Sequence, residues 1–177
     1  EYEGLMAKFK ELYASIEELL LVQDYQSEAL NAVELITFAG ENLTDAKVAP
    51  ELENEARYYR AQSLVKVNQM AHAVADWQSL AQDTRNAYGA EAKYRLAQYL
   101  FDAGKTAEAE KEVLNYLEVS TPHAYWLARS FVLLSDIYAR LDRKLEARQY
   151  LLSLKQNYQA DDDIAGMIEN RLEKLNE

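Results

Sequence analysis

The chain contains no cysteine, two prolines and five glycines in 177 residues. Without cysteine there is no disulfide, no thiolate nucleophile and no cysteine-bound zinc. So few prolines and glycines leave few obligatory breaks, which favours long helices joined by short connections. Histidine is scarce too. His72 and His123 lie far apart and lack the i, i+4 spacing of a helical metal-ligand pair. No apolar run is long enough to cross a bilayer as a helix, so no direct membrane insertion is expected. Positive charge is also in short supply, with 19 Lys and Arg against 30 Asp and Glu, a formal net charge of −11. Nucleic-acid affinity depends on cations neutralising phosphates, so no nucleic-acid partner is expected. An anionic membrane surface is disfavoured by the same sign. What the chain has in abundance is apolar residues, at 49%, and tyrosine, at 13 residues. That composition is enough for a sizeable core and is not that of a disordered chain.

Residue patterns that carry chemistry are weak. Gly104-Lys105-Thr106 matches the end of the phosphate loop G-x-x-x-x-G-K-S/T, but position 99, where the first glycine belongs, is Tyr99. The preceding residues favour helix over the buried strand the loop requires. Asp161-Asp162-Asp163 begins like a calcium loop, yet Ala165 and Leu172 stand where oxygen ligands are needed. An acidic helix start accounts for the run better. The glutamate pairs Glu17-Glu18 and Glu108-Glu110 read as solvated faces, since acid–base catalysis needs carboxylates converging on a pocket. No nucleophile elbow occurs. Asn42-Leu43-Thr44 is a sequon with meaning only in a eukaryotic secretory protein. The expectation is a non-enzymatic protein with no catalytic residue, no cofactor and no metal site.

A repeat explains the glycine triplet. EARYYRAQSL, residues 55–64, and EAKYRLAQYL, residues 91–100, share six of ten positions at an offset of 36. The same offset carries Asn68 to Gly104 and Ala73 to Ala109, and a further 38 carries Ala109 to Ala147. NQMAHA, GKTAEA and DRKLEA therefore occupy one structural place three times. Gly104 is expected to supply a left-handed residue between two helices, with Thr106 capping the second. Apolar spacing predicts helices near 3–22, 25–40, 51–67, 70–83, 89–103, 106–118, 122–141, 144–157 and 162–175. Leu5, Phe9, Leu12, Ile16 and Leu19 follow the helical period in the first. Thr121-Pro122 and Ala49-Pro50-Glu51 read as helix starts.

Small residues recur where two helices would approach closely: Ala61 and Ala73, Ala97 and Ala109, Ser135 and Ala147. Bulky ones follow four later at Trp77, Val113 and Leu151. In this spacing the chain resembles the tetratricopeptide repeat. The resemblance covers residues 52–158 as three repeats, with 1–48 as a divergent hairpin whose packing residue would be Ala29. It departs from the family in its longer period and in lacking most of the unit-ending prolines. Long-period versions resemble repeat proteins of the bacterial envelope, such as the outer-membrane-assembly lipoproteins. That similarity favours a periplasmic or envelope setting and leaves the cytoplasm open.

The resemblance implies an all-α fold: a right-handed α-solenoid of helical hairpins forming one domain over 1–177. Residues 162–176 would form a capping helix, with Ile164, Ile168, Leu172 and Leu175 facing the preceding hairpin. It also implies a scaffold that binds a protein or peptide partner through a concave surface. The expected groove residues are Tyr58, Gln62 and Val65, then Tyr94, Gln98 and Phe101, then Val132, Asp136 and Ala139. The family's carboxylate clamp of Lys, Asn and Arg is absent, because the matching places hold Tyr58, Gln62 and Lys66, then Tyr94, Gln98 and Asp102. An alternative follows from the first residues, EYEG, which read as the middle of a helix. The chain would then be a structural segment of a longer repeat protein. Met6, Tyr13 and Leu20 would form a second apolar row packing the N-terminal edge on upstream repeats.

Overall fold

The computed structural model describes residues 2–43, 50–119 and 121–177, with the side chains of residues 2 and 50–52 left aside. Among these residues the chain is all-helical, with nine helices and no strand. It forms two compact units, Glu1–Gln82 and Asp83–Glu177. The first holds α1 (Tyr2–Leu21), α2 (Tyr25–Asn42), α3 (Pro50–Lys66) and α4 (Met70–Leu80). The second holds α5 (Ala87–Asp102), α6 (Thr106–Glu118), α7 (Ala124–Arg140), α8 (Lys144–Asn157) and α9 (Ile164–Leu175). Within the first unit α1 pairs with α2 and α3 with α4, and α3 also packs on both α1 and α2. Within the second, α5 pairs with α6 and α7 with α8. Helix α7 also packs on α5 and α6, and α9 packs on α7 and α8.

One turn recurs in every hairpin. Gln23, Asn68, Gly104 and Asp142 all have positive φ, at 59°, 61°, 80° and 59°. In each turn the positive-φ residue donates its N–H to the carbonyl three residues back, and the next residue donates to the carbonyl five back. For Gly104 these bonds are Gly104 N to Phe101 O, 3.1 Å, and Lys105 N to Leu100 O, 2.9 Å. This is the arrangement that satisfies the last carbonyls of a helix around a left-handed residue. The glycine triplet is thus a hairpin turn, as its repeat register implies, and the same turn extends to the first hairpin through Gln23.

The close-approach positions are buried as the spacing predicts. Ala61, Ala73, Ala97, Ala109, Ser135 and Ala147 are all at most 1% exposed, and Trp77, Val113 and Leu151 are buried beside them. The first hairpin differs. Counting from its turn residue, Glu28 stands where the others have alanine, and Ala32 stands where they have Trp77, Val113 or Leu151. Both are buried, so the packing residue is not Ala29, which is half-buried, and large and small have changed places. The Glu28 carboxylate lies 3.6 Å from Lys66 Nζ.

Two caps are corrected. The residue after Gly104 is already the N-cap of α6, so Thr106 lies inside the helix and makes no cap. Thr121 does not start α7, which begins at Ala124. Its hydroxyl donates to the Thr84 carbonyl at 2.8 Å and accepts from His123 N at 3.1 Å, which holds the segment outside the helix. Pro50 does open α3, while Ala49 and Thr44 of the sequon lie outside the described residues. Ile164 and Ile168 are buried against α7 and α8, with Leu172 and Leu175 packed partly beside them. Met6 is buried and Tyr13 stacks on Tyr59 at 4.8 Å, so these two members of the second apolar row are packed within the first unit.

Candidate functional site

The expected groove residues separate into three groups. Tyr58, Gln62 and Val65 lie half-buried on α3 in the first unit, with Gln62 Nε2 3.4 Å from the Tyr58 hydroxyl. Tyr94 and Val132 are buried, at 3% and 2% exposure. Tyr94 is thus part of the core rather than an open face. Its ring lies 5.7 Å from that of Trp126, and the Arg129 guanidinium sits 4.9 Å over it. Its hydroxyl donates to Gln98 Oε1 at 2.9 Å and accepts from Arg129 at 3.0 Å. Gln98 in turn donates to Asp102 at 2.9 Å. Burial of the Tyr94, Tyr116 and Tyr138 rings follows from their large apolar area.

Phe101, Asp136 and Ala139 form the third group, and the second unit brings them together. They line an open pocket of about 360 Å³ between the ends of α5, α7 and α9. The repeat places them there: Phe101 and Ala139 each stand three residues before the left-handed turn residue of their hairpin. Leu175, from the last turn of α9, completes an apolar wall. Four cations surround it, Arg140, Lys144, Arg171 and Lys174, against one carboxylate, Asp136. Arg171 reaches both Asp136 oxygens at 3.3 Å. Arg140 donates to the Phe101 carbonyl at 2.7 Å and lies 3.5 Å over the centre of its ring. It is therefore fixed at the rim both by a carbonyl at the end of α5 and by the aromatic face.

None of these four cations is flagged by composition, because they come from three helices of a chain that is acidic overall. The available signal was the turn register. It puts Lys144 at the first residue of α8, directly after the hairpin turn, and Arg140 one residue beyond Ala139.

Elsewhere, the titratable groups that are shifted are tied to neighbouring side chains. Burial, followed by the Glu110 carboxylate, pushes the Tyr138 phenol up to about 12. Burial followed by Asp162 does the same for Tyr158. Asp76, on α4, is clasped by Arg57 at 3.2 Å and Arg60 at 2.7 Å, and the Arg60 guanidinium is held further on the protonated side by that hydrogen bond. The Tyr138 and Asp76 ties reach a neighbouring helix, and the Tyr158 tie reaches the connection before α9. Among the described residues no group of three or more His, Cys, Asp or Glu could hold a metal ion. Among the same residues no helix is long and apolar enough to cross a membrane. No protein-family model, curated protein or solved structure matches the chain.

Proposed function

We propose that the chain is a non-enzymatic scaffold of the tetratricopeptide type that binds a peptide segment of a partner protein. The pocket at Phe101, Asp136 and Ala139 would be its binding surface. The observation that carries this reading is the pocket itself: three groove residues expected from the repeat pattern line one opening. The packing within each unit supports an α-solenoid, right-handed as the resemblance implies, since α3 lies against both α1 and α2, α7 lies against both α5 and α6, and α9 lies on α7 and α8 in the place of a cap. An apolar wall with a few fixed polar groups is the usual make-up of a ligand pocket.

A peptide array overlaid with the wild-type chain and with Ala139→Trp tests the reading. Ala139 is half-buried at the pocket wall, so an indole there fills the opening. A set of bound peptides that Ala139→Trp loses, with helicity unchanged by circular dichroism, is the expected result. Retention of every bound peptide by the filled variant contradicts it.

A second reading has its own observation. The first hairpin exposes Leu21, Val22, Tyr25, Leu30 and Val33, at 49–84%. An apolar patch of this kind suits burial against further polypeptide. The chain would then be a structural segment of a longer repeat protein, packed at its N-terminal edge. Hydrogen exchange at these residues in the chain alone and in its natural full-length context separates the two, because packing slows exchange there and peptide binding at the pocket does not.

A further inference from the structure

We infer that the pocket at the ends of α5, α7 and α9 selects an acidic peptide, one in which two carboxylates flank an apolar side chain. The inference rests on the peptide-binding reading above and adds the chemistry of the peptide. Asp136 neutralises Arg171. That leaves Arg140, Lys144 and Lys174 around the opening, and among the described residues none of the three has a carboxylate within ion-pairing distance. Three unpaired cations on one rim stand out in a chain whose net charge is −11.

The three differ in what they offer. Arg140 uses one terminal nitrogen on the Phe101 carbonyl. A guanidinium has five N–H donors in a rigid fork, so the remaining ones can meet a carboxylate side-on. Its stacking on Phe101 fixes the fork before any ligand arrives, which lowers the entropy lost on binding. Lys144 and Lys174 are exposed, flexible point charges on α8 and α9. They can meet a second carboxylate on the other side of the opening. Between them, Phe101, Ala139 and Leu175 give an apolar side chain a place to leave water.

The rest of the surface sharpens the choice. An acidic peptide is repelled by a net negative molecule everywhere except where local cations dominate, so its approach is steered to this rim. A polyanionic nucleic acid meets the same local attraction but must lay many phosphates over acidic surface. The structure therefore favours a short acidic segment of a protein.

The test uses the 177-residue chain and three blocked, fluorescently labelled hexapeptides that share a central Leu-Phe pair. The pair is flanked by glutamates in one, glutamines in the second and lysines in the third. A single-stranded oligonucleotide of similar length is the fourth probe. Fluorescence polarisation is expected to rank the glutamate peptide about tenfold or more above the glutamine peptide, a difference of roughly 1.4 kcal/mol. The lysine peptide is expected last. Raising salt from about 0.1 M to about 1 M shortens the screening length from ~10 Å to ~3 Å and should remove most of the advantage. Lys144→Glu combined with Lys174→Glu should erase it, while Lys144→Arg with Lys174→Arg keeps it. Both positions are exposed, and circular dichroism checks that the variants fold. Equal binding of glutamate and glutamine peptides, both sensitive to Ala139→Trp, overturns the charge selection and leaves peptide binding standing. Binding of none of the three peptides overturns both, and tighter binding of the oligonucleotide than of the glutamate peptide overturns the choice of partner.

Discussion

Asp76 is 1% exposed and holds two guanidiniums, from Arg57 and Arg60, against the inner side of α4. Without that carboxylate Arg57 keeps Glu53 at 2.8 Å, but the Arg60 guanidinium loses its carboxylate partner, which costs about 1–3 kcal/mol. Asp76→Ala is therefore expected to lower the urea midpoint markedly, and an unchanged midpoint would show that the clasp adds nothing. Tyr138 makes a different kind of prediction. Its folded-state phenol is raised from 10.0 to about 12, so the protonated form is favoured by folding. The associated stability is complete below pH ~10 and is lost as pH rises toward about 12. A tyrosinate absorbance titration should show a late phase that shrinks by one residue in Tyr138→Phe, with Tyr158 remaining in it. A late phase of unchanged size in the variant contradicts the assignment. At this scale the sequence showed which alanines would be buried in the three later hairpins, because helical repetition constrains small residues, but not in the first, where Ala29 is only half-buried. It did not show Glu28, since a glutamate at a close-approach position breaks the pattern that identifies the position.

The hairpin is the unit in which these residues act. Eleven residues before the turn and eight after it, facing helices carry a matched pair. In one hairpin it is Arg57 with Asp76, and in the next Lys93 with Glu112 at 2.7 Å. In the third it is Phe131 with Tyr150, whose rings lie 6.0 Å apart. The same place holds an ion pair twice and an aromatic pair once, so geometry is kept while chemistry changes. Close packing nearby tolerates less. Ala97→Leu or Ala109→Leu adds volume where both sites are at most 1% exposed and should cost roughly 1–3 kcal/mol. Lys105→Ala, at an exposed turn, should change stability by less than about 0.5 kcal/mol. Equal melting temperatures for all three variants and the wild type would contradict the register. Gly104→Ala isolates the turn itself. A Cβ there meets nothing within 4 Å, so the loss of about 1 kcal/mol comes only from placing alanine at φ 80°. A variant as stable as the parent in chemical denaturation would show that the turn relaxes out of that conformation. Helix existence was legible from apolar spacing, and α6 and α8 fall where it put them. The capping residues were not, because Thr106 and Thr121 look like caps while the turn geometry and the Thr84 carbonyl claim those places first.

Across the chain, the net charge and the local charge at the pocket differ in sign. The net charge of −11 correctly signals a molecule poor in cations, yet it conceals that Arg140, Lys144, Arg171 and Lys174 meet at one opening. A charge total carries no information about sorting in space, and these residues become neighbours only through hairpin turns and the packing of α9 on α7. Tyrosine abundance misleads in the opposite direction: Tyr94 recurs in step with Tyr58, yet it is packed into the core. Of the expected groove residues, those that line an opening are Phe101, Asp136 and Ala139. The central claim is that a peptide binds there. The most direct measurement is backbone amide NMR of the isotope-labelled chain, titrated with a peptide recovered from the array. The account predicts that the largest shifts fall at Phe101, Ala139, Arg171 and Leu175. Shifts centred instead on Leu21, Tyr25, Leu30 and Val33 of the first hairpin would contradict it.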